Sequence, residues 1–90
     1  MNSFLITCES NNKHGDYRQL VEKITSFGEH WYRFTDNVWI IKSNLSPSDI
    51  LTILKPHSYQ NDKILVVQMV RKVAWIGLSD EEENWMVSNF

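Results

Sequence analysis

The sequence predicts one small α+β domain, and three observations support this. Apolar runs typical of buried strands alternate along the chain with apolar stripes at helical spacing. Ninety residues suffice for one domain, whereas two would each approach the lower limit of independent stability. The chain is 42% hydrophobic and 22% charged, which is typical of a globular protein and unlike a disordered one.

The first elements are a strand and a helix. Residues 2–9 are predicted as a strand because they contain the consecutive apolar residues 4–6 and end on Glu9. A helix is predicted from Tyr17 to Phe27, with apolar residues three and four apart on one stripe. Asp16 is its expected N-cap and Gly28 its expected C-cap.

A hairpin follows, with strands at 29–35 and 38–43 joined by Asp36 and Asn37, which tolerate tight turns. The second of these strands is almost continuously apolar and is therefore expected at the centre of the sheet. The first alternates as an edge strand does, which predicts His30, Tyr32 and Phe34 on one face and Trp31, Arg33 and Thr35 on the other.

The remaining elements are two helices and a strand. Ser46 is the expected cap of a helix that begins at Pro47 and is terminated by Pro56. A fourth strand is predicted over 63–70 and an extended segment over 73–78. Ser79 and Glu82 then form a capping box that begins a last helix, from Asp80 to about Ser88, with Trp85 and Met86 facing inward.

This order predicts a ferredoxin-like βαββαβ sandwich over residues 1–90, with a C-terminal extension and a short last helix. Right-handed crossovers place the first and third strands side by side in the middle and both central helices on one face. The other face then needs a cover, because it would otherwise expose large apolar side chains. Either the C-terminal segment with Trp75 and Trp85 or a second copy of the chain is expected to supply it.

Net charge, cysteine count and the lengths of apolar runs limit which classes of function the sequence supports. The net charge of −2 argues against a general electrostatic attraction to nucleic acid, although a local basic patch stays possible. The one cysteine, Cys8, has no internal disulfide partner and is expected to be a buried thiol. The N-terminus lacks the pattern of a signal peptide, and no apolar run approaches the length of a membrane span, so we expect a cytoplasmic protein and no membrane partner.

Several segments together resemble a known family: the first strand ending on an acid, Phe27-Gly28, the run 38–41 with its Trp, the run 63–67, and residues 74–78 followed by an acidic stretch. The chain is similar to small proteins related to the CRISPR adaptation subunit, in particular the SinR-like group. The resemblance implies a ferredoxin-like homodimer and a role in bacterial or phage defence, toxin–antitoxin or mobile-element biology.

For several members of the wider group, the resemblance also implies metal-dependent nuclease activity or nucleic-acid contact. Their metal-associated Asp falls here at about Glu9, whose side chain is one methylene longer. Two Glu9 carboxylates across a dimer axis would hold one Mg²⁺ and activate a water for phosphodiester hydrolysis. The alternative is a solvated acid at the end of a strand. His14, in the following loop, is a second candidate catalytic residue because it could form an acid–base pair with Glu9.

Basic and aromatic residues are the candidate nucleic-acid contacts: Arg18, Trp31, Arg33, Arg71 and Lys72. In the second strand they interleave as base-stacking surfaces do. The alternative for the aromatic residues of this strand is packing in the core or in a dimer. The alternative for the basic residues outside it is that they are solvated surface charges. The sequence therefore leaves two hypotheses, a homodimeric interaction module that needs no cofactor and a Mg²⁺-dependent endoribonuclease or nucleic-acid-binding protein.

Overall fold

The computed structural model describes residues 2–9, 18–27, 30–58, 62–70 and 73–89. The strands are β1 (Asn2–Glu9), β2 (Trp31–Thr35), β3 (Val38–Ser43) and β4 (Lys63–Met69). The helices are α1 (Arg18–Thr25), α2 (Pro47–Leu54) and α3 (Asp80–Asn89), with one 3₁₀ turn at Lys55–His57. The predicted α+β class is therefore confirmed.

All neighbouring strands of the sheet are antiparallel, in the order β2-β3-β1-β4. The predicted placement of the first and third strands in the middle is confirmed, and so is the edge position of the second. Phe4 of β1 lies opposite Ile41 of β3 and Gln68 of β4. The fourth strand, β4, forms the other edge.

The main core lies between α1, α2 and one face of the sheet. Phe4, Ile6 and Ile41 supply fully buried side chains from the two central strands. They pack in one cluster with apolar residues of both helices, namely Leu20, Ile24, Ile50 and Leu54. Both helices therefore cover the same face, which we call the helix face. Burial of this cluster is the main source of stability in so small a domain.

The second face of the sheet is partly covered by the C-terminal segment, residues 73–89. Met86 of α3 and Ile40 of β3 are buried there, and the rings of Trp85 and Tyr32 lie 5.3 Å apart. An apolar groove of about 500 Å³ remains between this segment and the strands. The C-terminal segment is thus one cover of this face, as expected, but it does not cover all of it.

Helix starts follow the predicted chemistry. The backbone N–H of Asp49 donates to Ser46 Oγ at 3.1 Å, so Ser46 caps α2. In the capping box of α3, the N–H of Glu82 donates to Ser79 Oγ at 3.2 Å and the N–H of Ser79 donates to Glu82 Oε1 at 3.1 Å. No helix in the described ranges is long and apolar enough to cross a membrane.

Several predicted boundaries change. In the structure β2 begins at Trp31, β4 ends at Met69 and α3 extends to Asn89. The helix α2 ends at Leu54, two residues before Pro56, the residue predicted to end it. This residue lies inside the 3₁₀ turn that follows the helix, since a proline tolerates the first positions of such a turn. The predicted caps of α1, Asp16 and Gly28, lie outside the described residues.

The predicted alternation of β2 is wrong at its end. Arg33 lies opposite Trp39, but Thr35 lies opposite Val38, so a bulge places one extra residue between them. Cross-strand partners share a face and neighbouring residues of a strand do not. Thr35 therefore lies on the second face, away from Trp31 and Arg33, and lines the apolar groove.

Candidate functional site

The predicted site residue Glu9 is the exposed last residue of β1 and lies opposite Lys63, the first residue of β4. A cleft of about 680 Å³ opens at this end of the sheet. Its polar lining comes from Thr7, Glu9, Asn37, Asp62 and Lys63. The side chain is thus accessible to a ligand and has polar neighbours.

Antiparallel pairing brings these residues together from distant parts of the chain. The end of β1 meets the start of β4, which places Asp62 next to the cleft. On the other side, the N–H of Cys8 donates to the backbone carbonyl of Asn37 at 2.9 Å. This bond holds the β2–β3 turn against β1, so that Asn37 lines the other side of the cleft.

Two carboxylates, Glu9 and Asp62, line the cleft with the ammonium group of Lys63. Oxygen ligands of this kind suit Mg²⁺, which is often held by one or two carboxylates while it keeps several waters. Within the described part of the chain, no group of three His, Cys, Asp or Glu side chains is placed to hold a metal ion. Among the described residues of one copy, the cleft therefore offers a site with two carboxylates.

Cys8 is among the residues that line the cleft, and its free thiol is almost completely buried. Burial raises the pKa of this thiol to about 11, and the negative charge of Asp62 adds to the shift. A thiol with so high a pKa is almost fully protonated at neutral pH and is a poor nucleophile. The prediction of a buried thiol is confirmed.

Two predicted nucleic-acid contacts, Trp31 and Arg33, lie on the helix face at the β2 edge. The ring centroids of Trp31 and Trp39 are 5.6 Å apart at a tilt of 50°, and the Arg33 guanidinium carbon lies 4.6 Å from the centre of the Trp39 ring. Arg33 also donates to the carbonyl oxygen of Asp36 at 2.9 Å. Both side chains thus pack on one buried ring, while Trp31 stays 40% exposed.

The other predicted site residues are not brought together. Arg18 is the exposed first residue of α1, and neither Trp31 nor Arg33 lines the cleft at Glu9. His14, Arg71 and Lys72 lie outside the described residues. The structure therefore separates the candidate nucleic-acid contacts at β2 from the candidate catalytic residue at β1.

Two features at β4 and just before it are not predicted from the sequence. One is Asp62 at the cleft, the residue before β4, which only the pairing of β1 with β4 reveals. The other is a pair of exposed apolar side chains on the second face, Leu65 at 57% and Val67 at 41%. They lie opposite Thr7 and Leu5 of β1. The unbroken apolar run of this strand gave no signal of which side chains face solvent.

No family model matches the chain, and no curated protein or solved structure is significantly similar to it. The similarity to the CRISPR adaptation subunit stays a prediction. Function is therefore inferred from the residues of this chain.

Proposed function

We propose that this chain is a small homodimeric interaction module. The observation that carries the proposal is the pair of apolar side chains, Leu65 and Val67, exposed side by side on β4. Contiguous exposed apolar surface favours association because its burial releases water. A domain of this size also gains stability from a partner that binds only its folded state.

A ferredoxin-like fold is part of the proposal. The strand order β2-β3-β1-β4, with antiparallel neighbours and both central helices on the helix face, supports it. The C-terminal segment then occupies the second face as an extension of that fold. By the resemblance noted above, we propose a role in bacterial or phage defence, toxin–antitoxin or mobile-element biology. The cytoplasm stays the proposed location.

Light scattering coupled to gel filtration tests the dimer. At micromolar concentration we expect twice the chain mass of 10.6 kDa, with a midpoint of thermal unfolding that rises with protein concentration. The rise follows because mass action favours the associated folded state. A single-chain mass at every concentration, with a midpoint that does not change, would contradict the proposal.

The alternative function is a Mg²⁺-dependent endoribonuclease or nucleic-acid-binding protein with Glu9 at the dimer axis. The observation that favours it is Asp62, a second carboxylate in the cleft. Glu9 and Asp62 would hold the cation, and a bound cation of this kind activates water for phosphodiester hydrolysis. Lys63, in the same cleft, would offer a positive charge to a phosphate.

Incubation with labelled single-stranded RNA distinguishes the two functions. Cleavage that needs Mg²⁺ and is lost both with EDTA and in Glu9→Ala supports the nuclease. Glu22→Ala, an exposed acid on α1, is the matched control and should cleave like the wild type in that case. An intact RNA in every sample, together with an unchanged dimer in Glu9→Ala, supports the interaction module.

A further inference from the structure

We infer that two copies of the chain join through the outer edge of β4. The two β4 strands pair antiparallel about a two-fold axis at Val66, so that two four-stranded sheets become one continuous eight-stranded sheet. This inference rests on the proposed homodimer and names its interface and geometry. It also decides where the two Glu9 side chains lie relative to each other.

The outer edge of β4 has the properties of an unprotected edge strand. Among the described residues, β4 pairs with β1 on one side and with no strand on the other. Its seven residues pair with β1 in regular register, and no charged residue or proline lies between Lys63 and Met69. Monomeric proteins usually protect such an edge with charges, prolines or bulges, because its free N–H and C=O groups recruit another strand.

The other edge of the sheet, β2, carries those protections. It has five residues, it is bulged between Arg33 and Thr35, and it presents the charged side chain of Arg33. A bulge interrupts the row of hydrogen-bonding groups that a partner strand needs. A second copy is therefore expected at β4 and not at β2.

The residue sequence of β4 fixes the register. With the axis at Val66, all seven residues pair, and Leu65 of one copy lies opposite Val67 of the other. Cross-strand pairs of this kind share a face, so the four exposed apolar side chains meet on the second face. Lys63 lies opposite the partner's Met69, so no like charges face each other. Because the edge of β4 is complementary to itself in this register, we expect a second copy of the chain to bind there.

This geometry separates the two clefts. Glu9 is paired with Lys63 at one end of β4, and the partner's Lys63 lies at the opposite end, beside Met69. Six residues of strand at about 3.3 Å each place the two ends about 20 Å apart. Two Glu9 carboxylates at this separation do not share one metal ion. The interface therefore opposes the nuclease arrangement with Glu9 at the dimer axis.

Sedimentation equilibrium of a double variant, Leu65→Lys with Val67→Lys, tests the interface. We expect the dissociation constant of the dimer to rise on the order of 100-fold, since apolar burial is lost and like charges become neighbours. Leu51→Lys is the matched control, because Leu51 of α2 is 41% exposed, as Val67 is, and lies on a helix. This control should dimerise like the wild type.

The outcomes separate this inference from the proposed function. A wild type that is monomeric overturns both. A wild-type dimer that survives the double variant, or that Leu51→Lys weakens equally, overturns only the β4 interface. Circular dichroism checks that the double variant folds. If it does not, Leu65→Thr with Val67→Thr replaces it, because threonine is favoured in strands, and the expected weakening is then about 10-fold. An unchanged dissociation constant in that folded variant also overturns the interface.

Discussion

The two edges of the sheet use apolar residues in opposite ways. At the β2 edge, Trp31 and Arg33 both pack on the buried ring of Trp39, and a bulge ends the regular pairing. At the β4 edge the pairing is regular, and Leu65 and Val67 face solvent on the side that the C-terminal segment leaves open. One edge thus packs its apolar side chains within the chain, whereas the other leaves two of them in solvent, where we propose that a second copy binds.

The two edges should differ most in how much a truncation there lowers the free energy of unfolding of the monomer. Trp39→Ala should lower the free energy of unfolding by about 3–5 kcal/mol, because it removes a buried ring and the support for two neighbouring side chains. Leu65→Ala should lower it by less than about 1 kcal/mol in dilute protein, since more than half of the side chain is already in water. Urea unfolding followed by circular dichroism measures both. Equal losses in dilute protein would mean that the β4 edge is already packed in the monomer.

The pH dependence of stability tests the burial of Cys8, which packs in the core cluster of the helix face. The pKa of this thiol is raised from 9.0 to about 11 in the folded chain. Its stabilising contribution is therefore complete below pH 9 and is lost as the pH rises through 11. We expect a loss of roughly 2 kcal/mol by pH 11 from this group.

Cys8→Ala is the control for this prediction, since it removes the titrating group while the lysines and tyrosines still titrate. Urea unfolding between pH 8 and about pH 11 should show a flatter profile for the variant than for the wild type. Identical profiles would contradict the burial of the thiol in this core. A native Cys8 that alkylates rapidly at neutral pH would contradict it as well.

A smaller effect is expected for the charged group at the β2 edge. Arg33→Ala should lower the free energy of unfolding by about 0.5–1 kcal/mol, through loss of the contact between the guanidinium and the Trp39 ring. Lys55→Ala removes the same charge from an exposed position after α2 and should change stability by a few tenths of a kcal/mol at most. If the two variants lose the same amount, the ring contact contributes nothing to the β2 edge.

Local chemistry explains which parts of the fold were predicted from the sequence. The start of α2 at Pro47 and the capping box of Ser79 and Glu82 depend on residues within one helical turn. The range of β3, Val38–Ser43, matches the prediction. The turn before it marks its first residue, and the end of its apolar run marks its last part. The central position of β1 followed from element order together with the handedness of crossovers.

The features that were missed depend on contacts between distant residues. The bulge in β2 moves Thr35 to the second face, and only the register against β3 shows it. Asp62 approaches the cleft at Glu9 because β1 and β4 pair antiparallel. The exposure of Leu65 depends on how far the C-terminal segment extends across the sheet, and an apolar run in the sequence contains no such information.

Disulfide trapping of Val66→Cys measures the β4 interface most directly. On a two-fold axis residue 66 lies opposite itself, with Cα atoms about 4.5–5.5 Å apart, within the range of a disulfide. Mild oxidation at low protein concentration should give a covalent dimer, and native Cys8, being buried, should not compete. Val87→Cys, 69% exposed on α3, should form no disulfide-linked dimer under the same conditions. A Val66→Cys chain that dimerises in sedimentation yet forms no disulfide would contradict the antiparallel β4 pairing.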